Sequence, residues 1–392
     1  MENNKAVKKS SRIVMVMHIS IAIYVLAGCQ TAQKAPEETH KVPSELFLGA
    51  DLSYVNEMLD CGGIYRKEGK VVEPYQLFAE EGNNLVRLRL WHNPDWTSYS
   101  DYEDVKLAIK RSKKLGMSVL LDFHYSDDWA DPNKQLIPKA WKEIVSLKIL
   151  GDSVYNYTSK VLTNLNESGL LPNMVQIGNE TNVEILMPLE SKNYDSINWE
   201  RNIYLINRGI TAVNDVSKKT GKHIATMIHI AQPENAEWWF PKAFEYGIIE
   251  FDWIGLSYYP KWSDYSLSQL AEVISLLKKK YSKRIMVVET AYPATLQNAD
   301  DAGNLLAEDA LLEGFSATPL GQKDFMIALT KIVIEGGGEG VIYWEPAWIS
   351  VNCSTRWGNG SHWDNATFFD AQNGNEALTT FGFYERANYS KN

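Results

Sequence analysis

The chain has 392 residues, enough for two or three domains at about 150 residues each, although α/β barrels of 250 residues or more fold as one unit. Its 39 Lys and Arg against 49 Asp and Glu leave a net charge of −10, which disfavours nucleic acid as a partner. With 45% hydrophobic and 22% charged residues, global disorder is excluded and a large core is affordable. The composition is unusual in its 13 Trp, more than its 12 Phe, beside 20 Tyr. Tryptophan is costly to bury completely, so this excess implies either a Trp-rich core or surfaces built for flat ligands.

In chain order, Lys5, Lys8, Lys9 and Arg12 form a positive n-region, followed by the apolar run Ile13–Ala27. That run is too short for a comfortable transmembrane span and ends in small residues, as secretory signals do. Leu26-Ala27-Gly28-Cys29 resembles a bacterial lipobox. The resemblance implies cleavage before Cys29 and diacylation of its thiol; a chance Cys after a plain signal peptide is the alternative. The expected organisation is a lipoprotein signal peptide over 1–28, a flexible tether over 29–45 and one folded body over 46–392. The expected location is exported and membrane-anchored, at a bacterial cell surface or outer membrane.

Eight strands are predicted: Phe47–Ser53, Leu85–Trp91, Ser118–Tyr125, Met174–Glu180, His223–Ala231, Phe251–Tyr259, Arg284–Thr290 and Gly340–Trp348. Most are near-continuous apolar runs, as parallel strands covered on both faces require. Helical spacing is read over Asp104–Leu115, Asn202–Lys219, Leu267–Tyr281 and Asp324–Glu335. The alternation predicts an α/β protein, a single-domain (β/α)8 TIM barrel. A doubly wound open sheet is the runner-up, disfavoured because no Gly-rich dinucleotide turn follows the first strand. No second β-rich module is expected after the eighth strand.

A barrel places its reactive groups at the C-terminal ends of its strands. Those ends read Arg87-Leu88-Arg89-Leu90-Trp91-His92, Asp122-Phe123-His124-Tyr125, Gly178-Asn179-Glu180, Ser257-Tyr258-Tyr259-Pro260, Glu289-Thr290 and Tyr343-Trp344-Glu345-Pro346. Two carboxylates, Glu180 on strand four and Glu289 on strand seven, face each other across an eight-strand ring. Two opposed carboxyl groups are what glycosidic cleavage needs, one protonated and one ionised. Each Glu alone reads equally well as half of a rim salt bridge.

Gln176-Ile177-Gly178-Asn179-Glu180, Glu289-Thr290-Ala291-Tyr292-Pro293, Leu121-Asp122-Phe123-His124-Tyr125-Ser126-Asp127 with Trp129-Ala130-Asp131-Pro132, and Tyr343-Trp344-Glu345-Pro346-Ala347-Trp348 together resemble glycoside hydrolase family 53, the endo-β-1,4-galactanases. The similarity runs from about Gly49 to Phe369. It implies a retaining enzyme acting on galactan, with Glu180 as acid/base, Glu289 as nucleophile and no catalytic cofactor. It also implies that Asn179 bonds the sugar 2-hydroxyl. Arg89 is expected to pair with the nucleophile, and Tyr259, or else Tyr258, to hydrogen-bond it. His124 points either at the site or into the core. Trp344 is the expected sugar platform, and Trp91, Trp348, Trp357 and Trp363 either stack on neighbouring galactose rings or serve as packing.

Bacterial members of the family hold a calcium between the loops after strands seven and eight. The matching ligands here are Asn298, Asp300, Asn304, Ser361 and Asp364, with Ala302 where a His is frequent and Asn298 where Asp is usual. Ordinary polar turns are the alternative. Cys61 and Cys353 lie in loops after strands one and eight, which are neighbours where the barrel closes, so either a disulfide joins them or both are free thiols. Two other functions fit the same residues: a barrel endo-glycanase acting on mannan or glucan, and a non-catalytic glycan-binding surface lipoprotein.

Overall fold

The computed structural model describes residues 43, 45–188, 196–355 and 358–390. The expected signal segment, Cys29, nearly all of the tether and Trp357 lie outside them. Eight parallel strands close into a barrel in chain order: β1 (Phe47–Asp51), β2 (Leu85–Leu90), β3 (Ser118–Phe123), β4 (Met174–Ile177), β5 (Ala225–Ala231), β6 (Trp253–Ser257), β7 (Arg284–Glu289) and β8 (Gly340–Tyr343). β8 pairs back onto β1, from Phe47 opposite Gly340 to Ala50 opposite Tyr343. Helices α1 (Pro74–Glu80), α2 (Tyr102–Lys114), α3 (Leu147–Glu167), α4 (Trp199–Thr220), α5 (Pro233–Glu245), α6 (Leu267–Tyr281) and α7 (Pro319–Glu335) follow the first seven strands. The chain is thus a (β/α)8 barrel. Among the described residues no helix is long and apolar enough to cross a membrane.

Local chemistry starts these helices where they start. Asp101, Ser146, Asn198, Ser266 and Thr318 each accept a backbone N–H of the first turn of α2, α3, α4, α6 and α7, satisfying donors that a helix leaves open. In α2, Glu103 and Asp104 sit in the first turn and Arg111, Lys113 and Lys114 in the last, which suits the helix dipole at both ends.

Side-chain alternation along the strands builds the barrel interior in layers. The lower interior is apolar: Phe47, Leu85, Leu120, Met174, Ala225, Met227, Trp253, Met286, Val288 and Ile342 form one buried cluster. Trp253 lies at its floor, where the Arg284 guanidinium covers the indole at 3.9 Å. One step further along, the inward positions turn polar with Asp51, Arg87, Asp122, Gln176, His229 and Ser257, all buried.

Several strands stop before the apolar sequence does. β4 was expected to reach Glu180 but ends at Ile177, since Gly178 (φ 80°) and Glu180 (φ 44°) leave the extended region. β3 gives way before Tyr125 (φ 50°) and β8 before Glu345 (φ 50°). A non-glycine residue held in left-handed backbone costs on the order of 1–3 kcal/mol, so the surroundings must hold it there. Three such positions on the rim mark where the chain turns to present side chains over the barrel mouth.

A small four-stranded sheet, absent from the sequence-based expectation, joins Tyr65–Lys67 and Lys70–Val72 to Phe369–Asp370 and Glu376–Ala377. It sits beyond β1 and β8, and a Cys61–Cys353 disulfide with Cα atoms 5.6 Å apart ties the same two connections. Both fasten the seam at which the barrel closes.

Candidate active site

Arg87 is the hub of the polar layer. Its guanidinium is 1% exposed and meets three carboxylates at 2.8 Å each: Asp51 Oδ2 through Nη1, and Asp122 Oδ2 and Glu289 Oε1 through Nη2. It also donates to Asn179 Oδ1 at 2.7 Å and to Gln176 Oε1 at 3.2 Å. The strand register explains this: Arg87 lies opposite Asp51 on β1, one pleat below Arg89, which lies opposite Asp122 on β3.

Arg89 therefore does not pair with Glu289 as expected. It shares the inward parity of Arg87 but sits one pleat higher, where it meets Glu345 Oε1 at 3.1 Å. Its guanidinium carbon is 4.8, 4.7 and 4.1 Å from the ring centroids of Tyr54, Trp91 and Trp129. Trp91 is consequently packed away at 2% exposure and offers no face to a sugar. Of the two roles open to Trp91, stacking and packing, this burial leaves packing.

Glu289 owes its orientation to an irregularity in β7. Leu256 pairs with Val287 but Ser257 pairs with Glu289, so one extra residue is accommodated at Val288. A bulge of this kind re-aims the next side chain, and both Val288 and Glu289 point inward here. Tyr259 donates its hydroxyl to Glu289 Oε2 at 3.2 Å, whereas Tyr258 faces away and donates to Tyr265 O.

Glu180 comes from the turn after β4. Gln135 Nε2 donates to the carbonyls of Asn179 and Glu180 at 2.8 and 3.2 Å, pinning that turn. A Cβ on Gly178 would lie 2.5 Å from Thr181 Cγ2 at a φ of +80°, so glycine is required there. Asn179 donates Nδ2 to Ala130 O at 2.8 Å. Ser257 donates to Glu180 Oε1 at 2.6 Å, and His229 Nε2 lies 2.9 Å from Ser257 Oγ. Oxygens of Glu180 and Glu289 and a ring nitrogen of His229 all lie within 4.8 Å of one another.

The two glutamates sit in unequal fields. Burial, then the charge of Glu289, pushes Glu180 well above the ordinary carboxylate range, against the Ser257 hydrogen bond. Burial raises Glu289 to about 7, Arg87 pulls it down, and Asp51 and Asp122 push it up. Glu289 is therefore the first of the pair to ionise. Burial opposes the ionisation of Asp122, but Arg87 and His124 outweigh it and hold this carboxyl low. Burial also lowers His124, whose Nε2 meets Asp122 at 3.1 Å and whose Nδ1 accepts the Ala130 N–H.

Above these groups opens a cleft of about 860 Å³. Of the expected residues, Arg89, His124, Asn179, Glu180, Tyr259, Glu289, Trp344, Trp348 and Trp363 line it. Trp363 is only 2% exposed, crosses Trp344 at 81° and donates Nε1 to its carbonyl, so it chiefly supports that ring. Trp129 and Trp262 also line the cleft. Sequence reasoning had given them no role, although both follow strand ends. Gln176, His229, Ser257 and the charge role of Arg87 were likewise missed; their inward parity was the available signal.

The suggested calcium residues converge. Ser350 Oγ donates to Asp300 Oδ2 at 2.6 Å and Asp364 Oδ2 at 3.0 Å. Asn304 Nδ2 donates to Asn298 Oδ1 and Asp364 Oδ1, while Asn304 Oδ1 is buried without a hydrogen-bond partner. Ser361 contributes its backbone N–H to Asp300 Oδ2, and its hydroxyl turns away to Trp348 O. Ala302 likewise offers an N–H to Asp300. Ser361 is thus not a side-chain ligand in this arrangement.

A closed (β/α)8 barrel whose mouth holds two opposed carboxylates, one buried and one half-buried, beneath an aromatic-walled cleft defines a glycoside hydrolase. Residues 47–383 match the family model described as Glycosyl hydrolase family 53, and the chain belongs to that family. It is 56% identical over 339 residues to an arabinogalactan endo-beta-1,4-galactanase of Cellvibrio japonicus, covering 86% of this chain and 90% of that one. It is 32% identical over 324 residues to the endo-beta-1,4-galactanase of Bacillus subtilis, covering 80% and 72%. The solved catalytic domain of a family 53 protein from Ignisphaera aggregans superposes with a TM-score of 0.80 at 31% identity, covering 91% of this chain and 99% of that one.

The raised Glu180 has a signature in stability. A carboxyl whose folded pKa is raised contributes stability that is full below its unfolded value, here 4.5, and lost as pH rises through the folded value. Glu180→Gln has no such loss. Its melting temperature, relative to the parent, is expected to rise steadily from pH 4.5 to pH 8 in differential scanning calorimetry. A difference that stays constant with pH contradicts a protonated Glu180.

Proposed function

We propose that this chain cleaves internal β-1,4-galactosidic bonds of pectic galactan and arabinogalactan with retained configuration. The pair Glu180 and Glu289 at the floor of a Trp-walled cleft carries this reading, and the similarity to the Cellvibrio enzyme supports the choice of sugar. Oxygens within 4.8 Å suit direct attack by one carboxylate better than a gap holding a water.

In this reading Glu289, drawn toward its ionised form by Arg87 and the first of the pair to ionise, attacks the anomeric carbon while Glu180 gives its proton to the leaving glycosidic oxygen. The galactosyl ester on Glu289 is then hydrolysed by a water that Glu180 deprotonates, which restores both groups. Asn179 has one amide N–H committed to Ala130 O, which leaves the other for the sugar 2-hydroxyl. Trp344 forms the platform beside the reacting sugar, Trp348, itself only 3% exposed and stacked on Tyr54 at 4.1 Å, backs the wall, and Trp129 and Trp262 flank the cleft. Neutral galactan requires such faces and hydrogen bonds rather than a basic groove.

We also propose a structural calcium between the loops after β7 and β8, held by Asp300, Asp364, Asn304 and Asn298. The orphaned Asn304 Oδ1 supports it, as does an all-oxygen donor set. The ion would brace the loop that carries His362 and Trp363 to the cleft. The lipobox-like Leu26-Ala27-Gly28-Cys29 supports a lipid anchor on Cys29 and a place on the bacterial cell surface, where polymer fragments are first met.

A reducing-sugar assay is expected to show release from galactan and none from mannan or cellulose; equal or greater release from mannan or cellulose contradicts the substrate. Glu289→Ala is expected to lose at least about 10³-fold in kcat on galactan. With azide and an activated aryl galactoside, it should yield the α-galactosyl azide, and Glu180→Ala the β-azide. The reverse pattern overturns the two roles. A chelator should lower the melting temperature and added calcium restore it, whereas unchanged melting and metal content refute the ion. Cys29→Ala should move the protein from the membrane to the soluble fraction, and unchanged membrane association refutes the anchor.

A further inference from the structure

Three buried residues lead to Glu180 from beneath, and their hydrogen bonds have a fixed direction. Gln176 Oε1 accepts the Arg87 Nε–H and its Nε2 donates to Asp122 Oδ1 at 2.6 Å, so its amide cannot be flipped without opposing both charges. Gln176 Nε2 lies 3.1 Å from His229 Nδ1, and the backbone N–H of Glu180 also points at that nitrogen, at 3.4 Å. One amide proton of Gln176 is held by Asp122 and the other is shared among Gly178 O, Asn179 Oδ1 and His229 Nδ1, so the Glu180 backbone N–H is the donor that fixes Nδ1 as an acceptor, although Asn179 Oδ1 is also 3.0 Å away. That oxygen has two other donors for its two lone pairs, Arg87 Nη2 at 2.7 Å and Gln176 Nε2 at 3.2 Å. The proton of the neutral His229 therefore resides on Nε2.

Nε2–H then donates to Ser257 Oγ at 2.9 Å, which leaves the Ser257 hydroxyl proton for its remaining partner, Glu180 Oε1, at 2.6 Å. An oxygen that must accept this bond is a poor place for a second proton. We propose that Gln176, His229 and Ser257 act as positioning residues, forming a directional relay that confines the acid proton of Glu180 to Oε2. Oε2 is the oxygen left free for the glycosidic bond, so each turnover would begin with the proton on the reactive side.

The proposal rests on Glu180 being the acid/base. The charged and titratable groups facing Glu180 among the described residues are Glu289 on β7, Asp131 after β3, Arg87 on β2, Tyr259 after β6 and the neutral His229 on β5. Burial and the Arg87 charge keep His229 neutral, so the relay does not reverse in the working pH range. The Ser257 bond also favours the ionised form of Glu180, so its loss should raise the pH at which Glu180 ionises.

The test is Ser257→Ala, assayed as kcat/KM on galactan and on a 2,4-dinitrophenyl β-galactobioside whose leaving group needs no proton. General acid catalysis is worth about 10²–10⁴-fold, and misdirecting rather than removing the proton should cost about 10-fold or more on galactan. On the dinitrophenyl substrate the variant should stay within about 2-fold, which also shows that it is folded. The alkaline limb of its galactan profile should move to higher pH, and Ser257→Thr should restore both features. Equal losses on the two substrates, no loss on either, or an unmoved alkaline limb would overturn the relay. Glu180→Ala run alongside separates the two questions. If it fails to show a loss confined to galactan in kcat/KM, the acid/base reading itself falls, whatever Ser257→Ala does.

Discussion

One buried guanidinium organises the barrel mouth. Arg87 is inaccessible to water yet carries a full charge, and three carboxylates within 2.8 Å compensate it. Removing one partner of such a buried cluster typically costs about 3–5 kcal/mol, because a charge is stranded rather than a bond lost. Sharing has a consequence beyond stability. Asp51, Asp122 and Glu289 compete for one cation, so Glu289 is only partly relieved of its burial and is raised to about 7. Among the described residues Glu180 forms no ion pair, feels Arg87 only weakly and faces whatever negative charge Glu289 carries. The asymmetry that acid and nucleophile require thus follows from which strand carries the arginine and at which pleat.

Arg89 repeats the theme one layer up with different partners. Among the described residues it meets Glu345, with Glu57 and Asp104 nearby, and its charge is spread over the faces of Tyr54, Trp91 and Trp129. A cation held against aromatic faces is stabilised by about 0.5–2 kcal/mol per ring and stiffens them. Trp91 is buried in the process, while Trp129 keeps an edge on the cleft. Part of the tryptophan excess is therefore scaffold for the wall, and part is the wall.

The barrel was legible because short apolar runs alternate with stretches of helical spacing, and the alternation rather than any single run identifies it. α3 was missed because Gly151 and Thr158 interrupt the buried face formed by Leu150, Val154, Val161, Leu162 and Leu165, and α5 because Pro241 lies inside it. The third, fourth and eighth strands were drawn too far, to Tyr125, Glu180 and Trp348, because no apolar pattern announces the left-handed backbone at Tyr125, Glu180 and Glu345. Glu180 and Glu289 could be found from position alone. Arg87 could not be told from Arg89, since both have inward parity and only the register to β1 and β3 separates them. The bulge at Val288 was equally silent in the sequence, being a property of two paired strands.

The central physical claim is the order in which the two glutamates ionise. Carbon-13 NMR of enzyme labelled at the glutamate carboxyl carbons follows each group directly, with Glu180→Gln and Glu289→Gln giving the assignments. Glu289 is expected to lose its proton first and Glu180 at distinctly higher pH, with the Glu180 value falling once Glu289→Gln removes the neighbouring charge. A Glu180 that ionises at or below the pH of Glu289 would contradict the placement of charge around Arg87 on which the site depends.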